Sequence, residues 1–256
     1  MNILALKLIL APIIIGSASL AGRRWGPAVS GWIVGMPLTS GPVIFFVALS
    51  HSASFAANTA LGVLSGGLSL VAYALTYSWL AVQFRWPIAI SGSLLIFAAS
   101  TTFLQNFTLP LLPIFTMVCV VLLLGLRLMP KDTVEKENES KSGRWDIPVR
   151  ILIGTSFILL LTGIAPLIGP RLTGLLTTIP LYVTILAIFA HRGQGPAAAA
   201  HVLRGLLYGM FAFTGFFITL SLLIEQTSLA TAFGAAVLTA LTVQGISLLV
   251  LRQLHQ

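Results

Sequence analysis

The sequence predicts an all-α, polytopic membrane helix bundle with about nine transmembrane helices. Three observations lead there: a composition with little charge, apolar runs of bilayer length, and basic residues gathered at the ends of those runs. Hydrophobic residues make up 57% of the chain and charged residues 8%, with a mean hydropathy of +1.01. An ordinary soluble domain carries roughly 25% charged residues, so this composition cannot clothe a water-facing surface. A helical crossing needs about 20 apolar residues, and the period-two alternation of barrel strands is absent.

The apolar runs lie near 3–21, 27–50, 54–80, 87–105, 107–128, 147–168, 170–190, 196–223 and 229–251. The first, with Lys7 ahead of it and Ser17, Ala18, Ser19 and Ala21 at its end, also has the form of a signal peptide. A comparable run at the matching place in the second half favours a retained crossing instead. The one polar stretch, Pro130 to Asp146, has almost nothing apolar to bury and reads as a mobile cytoplasmic linker. The expected organisation is a first membrane repeat over 1–106, a connecting transmembrane helix over 107–129, the linker over 130–146 and a second repeat over 147–256.

The formal charge of +8 would suggest nucleic acid in a soluble protein, but these cations flank membrane segments, which excludes that partner. With the N-terminus outside, the cytoplasmic loops hold Arg23, Arg24, Arg85, Arg127, Lys131, Lys136, Lys141, Arg144, Arg150, Arg192 and Arg252, and only Lys7 and Arg171 fall outside. The positive-inside rule therefore puts the N-terminus out and the C-terminus in. Trp25, Trp79, Trp86 and Trp145 fall at the same cytoplasmic border, with Trp32 a turn or two deeper. The single cysteine, Cys119, excludes an internal disulfide and a multi-thiolate metal site.

An internal repeat is the most informative pattern. Gly26-Pro27-Ala28-Val29-Ser30-Gly31 resembles Gly169-Pro170-Arg171-Leu172-Thr173-Gly174, and each then reaches a Pro-Leu pair at the same distance, Pro37-Leu38 and Pro180-Leu181. A short apolar run leads in both to a histidine, His51 or His191, and then to a helix rich in small residues. Segments one to four and six to nine form the two units, and the fifth is an extra crossing that turns the second unit upside down. Inverted repeats of this kind are a recurrent plan of secondary transporters.

The site is expected where paired helices break. In segment two, Gly35, Pro37 and Gly41 weaken the helix, and Ser40 or Gly41 reads as an N-cap with Pro42 at the first helical position. Backbone groups orphaned at the midplane must face protein or a cavity, and a helix N-terminus there suits an anionic or polar group. Segment seven carries the counterpart Thr177-Thr178-Ile179-Pro180, a gentler disruption, with Tyr182 just beyond. The alternative is that both prolines only kink their helices for packing. The candidate substrate-binding residues are Pro37, Thr39, Ser40, Gly41, Asn58, Thr177, Thr178, Pro180, Tyr182, His201 and Arg204. His201, Arg204 and Tyr208 share a helix face, but Arg204 is close enough to the cytoplasmic end to snorkel, which favours a structural part. His51 and His191 read as helix-end residues. Thr59, Ser100, Thr101, Thr102, Thr242 and Gln244 are further hydroxyl and amide groups, more often helix-packing bonds than ligands.

Of the six acidic residues, Asp132, Glu135, Glu137, Glu139 and Asp146 lie in or beside the linker and Glu225 at the end of segment eight. Without a buried carboxylate, a proton relay or cation carrier is disfavoured and a neutral or anionic solute gains. No catalytic or metal cluster is legible, so neither an enzyme nor a metal or other cofactor is expected.

With Gly-x-Pro-Leu and the run to His51 in view, each half resembles the four-helix bacterial inner-membrane proteins of the GlpM-like and DUF3147-like type. Leu172-Thr173-Gly174-Leu175-Leu176 through Pro180 to Ala190-His191 is nearer the GlpM-like form. The resemblance covers about the first two helices of each repeat; it implies a bacterial inner membrane and a duplication with fusion, and carries over no binding residue. In architecture the chain is similar to drug/metabolite transporters, although those join ten helices. The expected function is a secondary transporter or exporter of a small polar, in one version anionic, solute, and the alternative is a non-transporting assembly or regulatory subunit. The expected partners are the lipid bilayer and a small-molecule solute, with further copies of the chain an open option.

Overall fold

The computed structural model describes residues 26–130 and 146–253 and, ahead of them, 8–10, 12, 13, 16 and 20. Most of the first apolar segment, with its signal-peptide reading, and the stretch 131–145 lie outside the described residues. Among the described residues the chain is all-α: α1 (Gly26–Val34), α2 (Ser40–Ser50), α3 (Ala53–Gln83), α4 (Trp86–Leu104), α5 (Leu111–Leu128), α6 (Asp146–Thr177), α7 (Leu181–Gln194), α8 (Pro196–Leu223) and α9 (Leu229–Gln253). Among the described residues six stretches are long and apolar enough to cross a membrane, and the longest, Ile151–Gln194, has 44 residues. Straight, it would reach about 66 Å, twice a bilayer core of ~30 Å. It bends instead at Gly169, whose φ of 79° only glycine adopts freely, and Pro170 restarts the helix without losing a needed donor. Gly195 (φ 96°) followed by Pro196 makes the same kind of corner between α7 and α8.

Two helices form the centre. The most apolar window of α3 is 78% buried and that of α8 61%, against 22% for α4, α5 and α9, so the latter face lipid. α3 and α8 pack on each other, and each takes a broken helix of the opposite half: α1 lies on α8, and α6 lies on α3. Glycines make these crossings close. A Cβ on Gly31 would fall on the backbone of Val202 and Leu206, and one on Gly174 on the backbone of Thr59 and Val63. Where lipid removes the hydrophobic drive between helices, such small residues let backbones gain packing contact. α5 rests on both α3 and α8.

Segment two breaks as expected, over Gly35–Thr39, but α2 starts at Ser40 with Thr39 as N-cap, so Pro42 is its third residue and not its first. The shift is tolerated because none of the first N–H groups of a helix has an intrahelical partner. The disruption in segment seven is stronger than expected, for residues 178–180 leave the helix altogether. Pro180 lacks an N–H, and the hydroxyls of Thr177 and Thr178 donate to the carbonyls of Gly174 and Leu175 at 2.7 Å, competing with the backbone ladder.

The basic residues sort by end. Arg192 stacks on the Trp86 ring at 5.6 Å, Trp79 Nε1 donates to Leu128 O at 2.9 Å, and Arg204 Nη2 donates to Pro130 O at 2.8 Å. These contacts gather Arg85, Arg127 and Arg192 at one end of the bundle. Arg171 lies at the other, donating to Leu104 O at 2.7 Å.

Candidate functional site

The two breaks meet. Between them is a cavity of about 40 Å³ bordered by Gly35, Thr39 and Ser40 on one side and Thr177, Thr178, Pro180 and Tyr182 on the other, with Leu206 and Phe213 of α8 and Leu70 of α3 closing it. Room on this scale holds a few water molecules. The first residues of α2 and α7 both line it, so two helix N-termini, each worth roughly half a positive charge, converge on one small volume. Among the described residues no Asp, Glu, Lys, Arg or His borders it. Thr177 and Thr178 have their hydroxyl protons committed to backbone carbonyls, which leaves them as acceptors toward a guest. Thr39 stands at the N-cap of α2 and makes no capping bond, and Ser40 is the first residue of that helix. Together these groups can accept from and donate to a small polar or anionic guest.

The other expected residues lie elsewhere. Pro37 and Gly41 face away from the cavity, into an apolar groove of about 300 Å³ between the first break, α8 and α9. Asn58 is exposed near the start of α3, where its Nδ2 donates to Ser54 O at 2.9 Å. His201 and Arg204 sit on the first turns of α8, and Arg204 reaches the chain beyond α5 at Pro130. The structural reading of Arg204 thus fits its geometry. Of the helix-end histidines, His51 closes α2 and stacks on Phe55 at 4.7 Å. His191 lies in the last turns of α7 with Nδ1 3.5 Å from the Tyr77 hydroxyl.

Sequence reasoning passed over three connections. Gln244 Nε2 donates to Trp32 O at 3.0 Å, and Trp32 Nε1 donates to Ser247 Oγ at 2.8 Å. Because the helix breaks at Gly35, Met36 N bonds Ile33 O and leaves the Trp32 carbonyl without its usual partner, a need that α9 fills. On the other half, the Tyr73 hydroxyl meets Thr184 Oγ1 at 2.8 Å, tying α3 to α7. Thr101 Oγ1 donates to Ser69 Oγ at 3.0 Å, tying α4 to α3. The signal available for the tyrosines was two phenols one turn apart in the middle of an apolar run. Among the described residues no group of three or more His, Cys, Asp or Glu could hold a metal. No family model, no curated protein and no solved structure matches this chain.

Proposed function

We propose that this chain is a secondary transporter or exporter of a small polar solute, anionic in the form the helix ends favour, and that it works by alternating access. The observation that carries the reading is the meeting of two proline-broken helices, through their hydroxyls and N-termini, at one cavity in the middle of an apolar bundle. Its present size admits little more than water, so a solute enters only as the halves part.

An inverted duplication, 1–106 and 147–256 joined by α5, belongs to the same proposal. It is supported by the packing: a displacement of 143 residues carries Gly31 onto Gly174, Thr59 onto Val202 and Val63 onto Leu206, so the carbonyl and amide that meet Gly31, Val202 O and Leu206 N, correspond to those that meet Gly174, Thr59 O and Val63 N. Gly35 against Gly209 likewise corresponds to Thr178 against Gly66. Two halves built alike can exchange shapes, and that exchange would open the cavity to each side in turn. The end that gathers Arg85, Arg127 and Arg192 is the cytoplasmic one in this reading, in a bacterial inner membrane. The GlpM-like resemblance of each half remains part of the proposal as its ancestry.

The test is a thermal-unfolding screen of the protein in nanodiscs against acetate, phosphate and small hydroxy acids, repeated on Thr39→Ala/Ser40→Ala. A bound solute at 100 times its Kd stabilises by about 2.7 kcal/mol. Saturable stabilisation that the double variant loses supports the site. Stabilisation retained moves the site elsewhere, and none by any solute or amphiphile counts against a transporter.

A further inference from the structure

The break at the end of α6 gives the cavity a wall that accepts hydrogen bonds and does not donate them. Thr178 N bonds Leu175 O at 3.3 Å, so Gly174 O has lost the amide one turn on, and the Thr177 hydroxyl takes that place at 2.7 Å. Turning that proton toward a guest would orphan the carbonyl, so Thr177 Oγ1 has only lone pairs to offer. Thr178 Oγ1, which donates to Leu175 O, likewise has no free proton. Thr177 and Thr178 are 1% and 5% exposed, and both border the cavity. The opposite wall has the reverse character. Ser40 is 2% exposed and borders the same space, and among the described residues its hydroxyl has no hydrogen-bond partner, which leaves its proton for a guest. It stands at the start of α2, where the first N–H groups lack carbonyls of their own helix.

Charge and size narrow the guest further. The starts of α2 and α7 supply roughly one positive charge between them, and among the described residues no Asp, Glu, Lys, Arg or His at the cavity alters that. A monoanion balances it, whereas a dianion would keep an uncompensated charge at membrane depth, which is costly. A water needs about 10–15 Å³, so the 40 Å³ between the breaks takes about three waters, or a guest of about four heavy atoms. Resting on the reading of this cavity as the solute site, we infer that the solute is a singly charged oxyanion of that size which keeps one O–H. Its charged oxygens accept from Ser40 and the helix start, and its O–H donates to Thr177 Oγ1. Hydrogencarbonate is an ion of this kind. Halides, nitrate and formate carry no donor and set their charge against the threonine lone pairs, and urea carries donors but no charge.

The experiment is equilibrium binding of radiolabelled hydrogencarbonate to the full chain in nanodiscs, in sealed vessels at mildly alkaline pH, with formate, nitrate, chloride and urea as competitors and empty nanodiscs as the blank. Saturable binding is expected, with formate and nitrate weaker by roughly tenfold or more, since each leaves the Thr177 acceptor unpaired. Ser40→Ala lowers the affinity for hydrogencarbonate and formate alike, by roughly tenfold or more. Thr177→Val removes the acceptor and brings the two affinities together. Their ratio is read within one variant, so any loss of fold stability cancels, and unliganded unfolding temperatures report that loss. Formate or nitrate binding as tightly as hydrogencarbonate, or a preference that survives Thr177→Val, overturns the inference and leaves the transporter. Stabilisation by phosphate or a larger hydroxy acid that Thr39→Ala/Ser40→Ala removes, with hydrogencarbonate inert, does the same. Binding that Ser40→Ala leaves unchanged, or no saturable binding or stabilisation by any of these solutes, overturns both.

Discussion

Replacing Gly174 by alanine puts a methyl group where α6 crosses α3, against the carbonyl oxygen of Thr59, with Val63 N at 2.7 Å and Gly62 Cα at 2.8 Å. All three are backbone atoms, so no rotamer change relieves the overlap. Ordinary carbon contacts lie at about 3.5–4.0 Å, and restoring them moves the helices apart by roughly 1 Å. Inserting a methyl into a packed interior costs about 1–3 kcal/mol, and at ~2–4 °C per kcal/mol for a chain of this size the unfolding temperature falls by several degrees. Gly31→Ala, at the crossing of α1 with α8, should lose a similar amount. Gly163→Ala and Gly234→Ala are the controls: nothing lies within 4 Å of the added carbon, and helix propensity favours alanine by about 1 kcal/mol. Thermal unfolding of the four variants in nanodiscs measures the contrast. Equal shifts in all four, or a stabilised Gly174→Ala, would refute the argument that backbone contact at these crossings holds the bundle.

Gln244→Leu leaves the Trp32 carbonyl orphaned at the first break and should destabilise by about 1–3 kcal/mol, whereas Thr242→Ala, on the exposed face and bonded to its own helix, should move stability by less than about 0.5 kcal/mol in the same unfolding assay. Tyr73→Phe removes the bond to Thr184 and should cost about 1 kcal/mol, with faster amide exchange in α7 as the local readout. Arg204→Gln loses a charge-assisted bond to Pro130 O and should destabilise by about 1.5–3 kcal/mol while leaving solute-dependent stabilisation unchanged; loss of that stabilisation would return Arg204 to the site.

The breaks were legible because proline and glycine act locally: Pro37 and Pro180 remove donors wherever the chain goes, and the Gly-Pro corner at 169–170 follows from one residue's φ. The pairing of Thr39 and Ser40 with Thr177 and Thr178 was legible only through the similar Gly-Pro and Pro-Leu spacing of residues 26–38 and 169–181. Which side of the break each residue faces was not, since Pro37 and Gly41 look into the groove a turn or less from Thr39 and Ser40, and the pattern in an apolar run carries no phase to separate them. Polarity marked Asn58 without saying where it would face, and α3 turns it outward, where it bonds within its own helix. The Gln244–Trp32 bond joins residues 212 apart, and no local signal reaches that far.

The hydroxyl tie between α3 and α7 has a mechanical meaning. A hydrogen bond fixes direction as well as distance, so Tyr73···Thr184 holds its two helices in one relative rotation. Where α2, α8 and α9 meet, the contacts are ring edges of Phe45, Phe216 and Phe233, with centroids 5.2–6.1 Å apart, and such surfaces slide and reseat without breaking a directed bond. The two sides therefore differ in stiffness. In the proposed alternation the α3–α7 side is the stator, α9 is held to α1 by Gln244 and Ser247, and α2 is the part that swings.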